Sequence, residues 1–243
     1  MFLLGLVDDK KNLNSKFKLF IFSLIIFAHL LLEKKYIINY LDLDFINYIL
    51  YLGMFQGIFF TMLCILLFIN AANLYDGINL QLGFYFLFIF CYLIFKNPNL
   101  ILIKLSLIPL IVFIFLNYKN KCFFGDSGTL LVSYLVSLII IDQHLNQDLL
   151  LISEILLLMI IPGLDMFRVF LERIISKKNP FHADRKHIHH ILIKKFSLLN
   201  TNIILFLMNI LPILIYNYLQ GYFILILICL ILSYSFIILS NEK

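Results

Sequence analysis

Eight stretches of mainly apolar residues make up most of this 243-residue chain and decide what it can fold into. They cover residues 17–32, 45–69, 80–95, 100–116, 129–141, 149–164, 203–219 and 222–239. A helix needs about 20 residues to cross a bilayer, with a range of roughly 17 to 25, so the shorter stretches must recruit flanking residues. A soluble core cannot use a chain that is 63% hydrophobic and only 14% charged. We therefore predict an all-α polytopic membrane protein with about eight transmembrane helices, forming a single domain over residues 1–243.

The chain opens on an apolar stub, residues 1–7, that runs directly into Asp8 and Asp9. It has no basic region, long apolar core or small-residue cleavage site, so we do not interpret it as a signal peptide. As a helix it would rise only about 10 Å, against a hydrocarbon core of roughly 30 Å. We interpret it as the last turns of a helix, and we expect nothing in so short a stub to fix the depth or direction of the two aspartates.

The distribution of charge predicts how the chain lies in the membrane. Four polar segments, residues 8–16, 70–79, 117–128 and 165–202, are each separated from the next by two apolar stretches, so all four are predicted to share one face. Fifteen of the 19 Lys and Arg residues fall on that face and four on the other. The positive-inside rule therefore predicts that the polar segments face the cytoplasm, with an active-site cleft on that side.

Two other function classes find no support in the sequence. The net charge of +5 reflects these loops, and no basic run interleaved with aromatic residues suggests a nucleic-acid partner. The four cysteines form no C-x-x-C pair, so neither a disulfide framework nor a zinc site is indicated.

The longest polar segment, residues 167–202, is unusually rich in cationic side chains and histidines. It carries eight Lys and Arg residues and four of the six histidines: His182, His187, His189 and His190. Such a loop suits an anionic ligand at a membrane surface. The alternative is an ordinary cytoplasmic loop whose charge only sets topology. The histidines favour the ligand, because setting topology requires none.

Three further polar clusters lie next to apolar stretches, where ionisable residues are candidates for function. They are Asp8 and Asp9; Asn70, Asn73 and Asp76, spaced for successive turns of one helix; and Asp126, between Gly125 and Gly128. Each alone could instead be a helix cap or a turn. Carboxylate and amide oxygens without thiols suit Mg²⁺, and cationic loops suit phosphates. Together they indicate phosphoryl transfer between a soluble nucleotide and a lipid.

Four of these segments resemble, in order, the signatures of the polyprenyl-phosphate N-acetylhexosamine-1-phosphate transferases. They read Gly5-Leu-Val-Asp8-Asp9, Asn70-x-x-Asn73-x-x-Asp76-Gly77, Phe124-Gly125-Asp126-Ser127-Gly128 and Asp184-Arg185-x-His187-x-His189-His190. The histidine segment is similar to the branch that uses UDP-N-acetylglucosamine or a related UDP-sugar. The resemblance implies transfer of an N-acetylhexosamine 1-phosphate from a UDP-sugar to undecaprenyl phosphate, releasing UMP and initiating a cell-envelope glycan such as an O-antigen.

The same resemblance implies roles for individual residues. Catalytic roles go to Asp8 and Asp9, for which general-base and metal roles both stay open, and metal binding goes to Asp126 and Asn73. The substrate-binding residues would be Asn70, Asp76, Arg185, His187, His189 and His190. It also implies Mg²⁺, or Mn²⁺ in its place, as cofactor, and the bacterial inner membrane as location. The partners would be a UDP-N-acetylhexosamine, a polyprenyl phosphate and membrane lipid, with a homodimer left open.

The chain also departs from the family pattern. A fifth-position aspartate of the first motif is replaced by Asn12, and family members carry about two more helices before the aspartate pair. We therefore expect the 243-residue chain to be N-terminally truncated, and by itself to insert but to show little or no transfer, because phosphoryl transfer depends on accurate positioning. The alternatives are an inactive remnant or a membrane transporter. A transporter would place its ionisable groups near the bilayer midplane, whereas here they are predicted to collect at one face.

Overall fold

The computed structural model describes residues 1–11, 13–179 and 185–241, and this part of the chain is mostly helical. Its α-helices are α1 (Phe2–Lys11), α2 (Ser15–Leu32), α3 (Met54–Tyr75), α4 (Gln81–Lys96), α5 (Ile101–Tyr118), α6 (Gly125–Leu145), α7 (Ile152–Ile175), α8 (Ile188–Leu192), α9 (Leu198–Tyr218) and α10 (Phe223–Asn241). Strands β1 (Tyr40–Leu43) and β2 (Tyr48–Tyr51) form an antiparallel hairpin. Short 3₁₀ turns lie at Lys34–Tyr36, Asp44–Ile46 and Gln220–Tyr222.

The prediction of an all-α polytopic membrane protein is confirmed. Each apolar stretch overlaps a helix. Six helical segments within the described residues are long and apolar enough to span a bilayer: Ser15–Leu32, Met54–Tyr75, Ile101–Tyr118, Gly125–Leu145, Leu198–Tyr218 and Gln220–Ser240. Helix α4 is apolar but has only 16 residues, and α7 carries several charged residues along its 24. The predicted number of about eight spans is therefore not confirmed.

One predicted stretch begins in the wrong place. Residues 45–51 were assigned to a span, but they form a 3₁₀ turn and strand β2, and the helix begins only at Met54. Asn47 adopts a left-handed backbone conformation with φ of 50°, which closes the turn and brings Leu43 opposite Tyr48. The aromatic and β-branched residues of β2 suit a strand as well as an apolar helix, which explains the error.

The chain forms two compact units. The first comprises residues 1–73 and 124–155, and the second comprises residues 74–123 and the chain from residue 156 onward. The core of the first unit is built on α2, whose Phe22, Ile26 and Leu30 recur every four residues and are fully buried. They belong to one apolar cluster with Ile65 of α3 and Leu130 of α6. Between membrane helices such packing acts mainly through van der Waals contact.

The second unit is built around α4, the helix with the most buried residues in it, including Tyr85 and Phe86. Its start is fixed by Leu80, which adopts a left-handed conformation (φ 74°) and donates its backbone N–H to Asn117 Oδ1 at 2.6 Å. A smaller apolar cluster packs Ile188 and its neighbours on α8 against side chains of α9 and α10. This cluster seats α8, the short helix that carries His189 and His190 within residues 167–202, which we call the histidine loop.

Candidate functional site

In the first unit, Gly5 brings α1 into backbone contact with the beginning of α6. A Cβ atom on Gly5 would lie 2.5 Å from the backbone nitrogen of Ser127 and closer still to its Cα, so only glycine fits. The stub is therefore held firmly against a spanning helix. Our expectation that nothing would fix Asp8 and Asp9 is wrong, because it considered only the length of the stub and not its packing.

Asp9 binds the first turn of α6. Its carboxylate accepts the backbone N–H of Asp126 at 2.8 Å and that of Ser127 at 3.1 Å. The first N–H groups of a helix have no partner within the helix, and the N-terminus carries a partial positive charge, so a carboxylate suits this position. Gly125 begins this turn with φ of +61°, and a Cβ there would lie 3.0 Å from Asp9 Oδ1. Asp9 is thus a helix cap supplied by another helix, and it fixes the placement of Asp126.

Asp8 and Asp126 converge on a single cation. The Lys18 ammonium forms an ion pair with Asp8 and lies 2.9 Å from Asp126 Oδ2. Asn73 Nδ2 donates a hydrogen bond to Asp126 Oδ1, and Asp8 also accepts the backbone N–H of Leu13 at 2.7 Å. Burial alone would raise the pKa of Asp8, but a hydrogen bond shared with Asp126 and one from Lys18 outweigh it and lower that pKa below its ordinary value. A hydrogen bond between two carboxyl groups requires a shared proton, and Asp126 is the member of the pair that holds it. Asp8 is therefore a carboxylate at neutral pH.

The donor set fits a hard divalent cation. Among the described residues no group of three or more His, Cys, Asp and Glu side chains is arranged as a metal site. Mg²⁺, however, is commonly held by one or two carboxylates and keeps its other positions for water or substrate phosphates. Asp8 and Asp126 already share a cation in Lys18, and Asn73 adds an amide beside them. These three oxygen-bearing side chains are the ones that could hold Mg²⁺.

The second motif is divided between the two units. Asn70 and Asn73 lie on α3 in the first unit, and Asn70 Nδ2 donates to the carbonyl of Leu66 one turn earlier. Helix α3 ends at Tyr75, so Asp76 follows the helix and belongs to the second unit. The expectation that all three lie on successive turns of one helix is wrong for Asp76. The prediction that all four polar segments share one cleft stays a prediction.

The described histidines of the loop differ in their surroundings. His187 and His189 are buried, whereas His190 is partly exposed and Arg185 is exposed. His182 and Asp184 lie outside the described residues, as does Asn12. The three described rings are in contact: His187 and His189 stack with centroids 5.7 Å apart, and those of His189 and His190 are 4.2 Å apart. Of the three, His190 is the most exposed ring and hence the most accessible to a ligand.

His189 packs against the glycine of the second motif. A Cβ on Gly77 would lie 2.5 Å from His189 Cδ2 and closer still to Nε2, and Gln81 Nε2 lies 3.4 Å from Nδ1. Burial lowers the pKa of His189 to about 3, and His190 adds to the effect. His189 is therefore neutral at pH 7. In the unfolded chain the His189 ring takes up a proton near pH 6.5, whereas in the folded protein it stays neutral. The free energy of unfolding should therefore be highest above that pH and decrease as pH falls below it.

Sequence reasoning missed Asp165, which holds the histidine loop to α7. Its carboxylate is 2% exposed and lies 2.8 Å from His187 Nδ1. It also accepts hydrogen bonds from the backbone N–H of Ile188 at 3.0 Å, the Tyr234 hydroxyl at 2.7 Å and Arg168 Nη2 at 3.1 Å. A carboxylate directly following an apolar stretch was a signal that could have revealed it. Lys18 was likewise counted only as a topogenic charge.

Replacing Gly5 by Ala is expected to separate α1 from α6. The added Cβ would overlap backbone atoms of Ser127, which cannot move aside, so the hydrogen bonds to Asp9 should be lost. Overpacking of this kind costs about 1–3 kcal/mol. Hydrogen exchange in detergent should show faster exchange of the Asp126 and Ser127 amides. Gly221→Ala, where a Cβ meets no atom within 4 Å, is the control. Unchanged exchange at both amides would show that the close approach is not required.

Comparison of the sequence with known proteins identifies the family to which the chain is similar. The family model for glycosyl transferase family 4 matches residues 1–144, more than half of the chain. Undecaprenyl-phosphate alpha-N-acetylglucosaminyl 1-phosphate transferase of Escherichia coli K12 is 28% identical over 204 residues, covering 79% of this chain and 55% of the relative. The probable undecaprenyl-phosphate N-acetylglucosaminyl 1-phosphate transferase of Bacillus subtilis 168 is 26% identical over 195 residues, covering 77% and 54%. The chain spans about half the length of the curated relatives it matches.

Proposed function

Because the chain belongs to glycosyl transferase family 4, we propose that it acts as a phospho-N-acetylhexosamine transferase that moves a sugar 1-phosphate from a UDP-sugar to a polyprenyl phosphate. The relatives named above are N-acetylglucosaminyl 1-phosphate transferases acting on undecaprenyl phosphate, so N-acetylglucosamine 1-phosphate and undecaprenyl phosphate are the groups we propose here.

The observation that carries the proposal is the convergence of Asp8 and Asp126 on one cation beside Asn73. Phosphoryl transfer needs little covalent chemistry from the protein, and depends instead on positioning and on neutralising the charge of the phosphates. Two carboxylates and an amide, fixed at the ends of helices, meet the requirement for holding Mg²⁺ against a diphosphate. They are not at mid-helix positions, where a transporter would be expected to carry its ionisable groups.

The proposed reaction is a substitution at phosphorus. An oxygen of the lipid phosphate forms a bond to the sugar-bearing phosphorus of the UDP-sugar. The bond from that phosphorus to the bridging oxygen breaks, and this oxygen leaves with UMP. The product is a lipid diphospho-sugar, and no oxidant or reductant is involved. When bound, Mg²⁺ would neutralise charge on the phosphate oxygens.

Individual side chains then take distinct tasks. Asp8, Asp126 and Asn73 would hold Mg²⁺, and Lys18 balances the charge of the two carboxylates. Both oxygens of Asp9 already accept N–H groups of α6, so we assign it a positioning role. This leaves Asp8 as the carboxylate of the pair that contacts the metal or the lipid phosphate.

The second unit supplies the proposed anion-binding groups. His190 and Arg185 are the accessible members of the loop and are assigned to the phosphates of the UDP-sugar, because cationic and N–H donors suit phosphate oxygens. The buried His187 and His189 support them. Asp76, and Asn70 of the first unit, are also assigned to substrate contacts. Fifteen of the 19 Lys and Arg residues lie on the face that the four polar segments are predicted to share, and this asymmetry supports a cytoplasmic site in a plasma membrane.

The test is a transfer assay with the product of the native gene, in membranes lacking the host enzyme. With Mg²⁺, undecaprenyl phosphate and UDP-N-acetylglucosamine labelled in the sugar, we expect label in the lipid extract together with released UMP. Omitting the polyprenyl phosphate or adding EDTA should abolish both. UDP-N-acetylgalactosamine and UDP-glucose, offered in parallel, would identify the sugar. Labelled lipid that forms equally well in EDTA would contradict the metal site, and no labelled lipid with any UDP-sugar would contradict the proposal.

A further inference from the structure

The buried carboxylate of Asp165 joins three separate parts of the second unit. It lies on α7, a few residues after Pro162, and receives one donor from its own helix, two from the histidine loop and one from α10. A carboxylate removed from water needs such donors, since an unpaired buried charge is costly. Four donors on one buried side chain indicate that it is there to hold these elements together.

We infer that Asp165, together with Tyr234, is a positioning residue that sets the placement of His190 and Arg185 for the UDP-sugar. The nature of the ligand rests on the proposed function, whereas the placement of the loop by Asp165 does not. Asp165 itself contacts no substrate in this assignment, so it acts through the loop.

The first step of the argument is the beginning of α8. This helix has only five residues, and its N-cap residue, His187, makes no capping hydrogen bond with its own side chain. A helix this short has little stability alone. Asp165 Oδ1 accepts the N–H of Ile188, the first residue of α8, and so acts as the missing cap. Without it, the turn that carries His190 would lose its fixed start.

The second step is the orientation of the histidine rings. The contact between Asp165 Oδ2 and His187 Nδ1 makes Nδ1 the donor and fixes the ring plane. His187 stacks on His189 with an angle of 3° between the planes, and His189 in turn contacts His190. By orienting the His187 ring, Asp165 therefore also restricts His189 and, through it, the accessible ring of His190.

The third step is a hydrogen-bond network that joins α10, α7 and the histidine loop. The Tyr234 hydroxyl donates to Asp165 and accepts a hydrogen bond from Arg168 Nε at 2.8 Å. Arg168 Nη2 also donates to the carbonyl of Lys186 at 2.6 Å, and Glu172 lies 3.2 Å from the Lys186 ammonium. The residue next to Arg185 is therefore tied to α7 by its backbone and its side chain. Tyr234 connects this hydrogen-bond network to α10.

The experiment compares three variants of the native gene product: Asp165→Asn, Tyr234→Phe and Tyr85→Phe. The asparagine keeps the size of the aspartate but places an NH₂ donor where the surrounding groups, which are donors themselves, need an acceptor. Tyr85 is the matched control, because its buried hydroxyl donates to the carbonyl of Leu158 at 3.1 Å in the same unit and does not touch Asp165. For metal ligands, losing the partner that orients the ligand typically costs about 10–100-fold, and we expect a loss of that order here. We expect the KM for the UDP-sugar to rise about 10–100-fold in Asp165→Asn and about 10-fold in Tyr234→Phe, and to stay unchanged in Tyr85→Phe.

Melting temperature separates positioning from simple destabilisation. Both tyrosine variants should lose similar stability, since each removes one buried hydroxyl, but only Tyr234→Phe should raise KM. A purely structural role would instead reduce the active fraction, and hence the apparent kcat, at constant KM. Equal KM values for wild type, Tyr234→Phe and Tyr85→Phe would overturn the inference, and this comparison holds even if Asp165→Asn fails to fold.

A second readout does not depend on turnover. In ¹⁵N-histidine-labelled protein, the resonances of the His187 ring, assigned with His187→Gln, report which nitrogen carries the proton. We expect them to shift in Tyr234→Phe and, if it folds, in Asp165→Asn, but not in Tyr85→Phe. If the wild type does not use a UDP-sugar, the proposed function fails, and these shifts still decide whether Asp165 and Tyr234 position the loop. Unshifted His187 resonances in Tyr234→Phe would overturn the inference independently of the kinetic result.

Discussion

Asp126→Asn is expected to lower the rate of phospho-sugar transfer by about 10²–10³-fold while the protein still folds. The substitution keeps the shape of the side chain and its place in the first turn of α6. It removes one of the two carboxylates that contact Lys18 and that are proposed to bind Mg²⁺. Charge stabilisation is the main contribution that a protein makes to phosphoryl transfer, so its loss should appear mainly in kcat. Transfer rate should be measured over a range of Mg²⁺ concentrations, because a lost ligand also raises the concentration of Mg²⁺ that is needed.

The matched control is Asp142→Asn, the same change near the other end of α6. Asp142 accepts hydrogen bonds from Gln143 and Asn146 and takes no part in the cluster. We expect this variant to retain nearly wild-type transfer and Mg²⁺ dependence. If Asp126→Asn behaved in the same way, Asp126 would not be a metal ligand and the proposed role of the cluster would be wrong.

Gly77→Ala is expected to have the largest effect in the second unit. The new methyl group would overlap the ring of His189, which is 1% exposed and has His187, His190 and Gln81 as neighbours. The ring must move, and the loop with it. A misplacement of about 1 Å in groups that position a substrate can lower the rate about 10²-fold, so we expect a loss of that order in kcat/KM for the UDP-sugar.

A control and a double variant make this test specific. At Gly163, within α7, a Cβ meets no atom within 4 Å, so Gly163→Ala should leave transfer intact and raise stability slightly through helix propensity. Combining Gly77→Ala with His189→Ala removes the overlap. Its melting temperature should match that of His189→Ala alone, without recovery of transfer. Wild-type kcat/KM in Gly77→Ala would show that the contact between Gly77 and His189 has no functional role.

How far the sequence predicts this fold depends on whether a feature is local. The helices follow from apolar stretches of suitable length, and α2 illustrates this in the regular spacing of Phe22, Ile26 and Leu30. The hairpin was missed because β2 is as apolar as a helix start, and its pairing depends on a turn centred on Asn47. The anchoring of α1 was missed because Gly5 meets Ser127, more than a hundred residues away. No pattern within either segment indicates that contact.

The candidate site shows the same division. Motif residues were recognised from their type and order, and the structure brings Asp8, Asp9, Asn73 and Asp126 together in the first unit. The differences among the loop histidines could not be predicted, because burial of His187 and His189 depends on partners elsewhere in the chain. Asp165 lies 22 residues before His187 and 69 before Tyr234. Only the packing of α7, α8 and α10 makes these three residues neighbours.

The most direct test of the central claim is to follow both parts of the transferred group at once. UDP-N-acetylglucosamine would carry ³²P in the sugar-bearing phosphate and ³H in the sugar, and would be incubated with the native gene product, Mg²⁺ and undecaprenyl phosphate. If the Asp8 and Asp126 cluster supports sugar 1-phosphate transfer, both labels should enter the lipid in a 1:1 ratio, and the released nucleotide should be unlabelled UMP. Tritium in the lipid with ³²P retained in UDP would mean that only the sugar moves, and would contradict the proposed reaction.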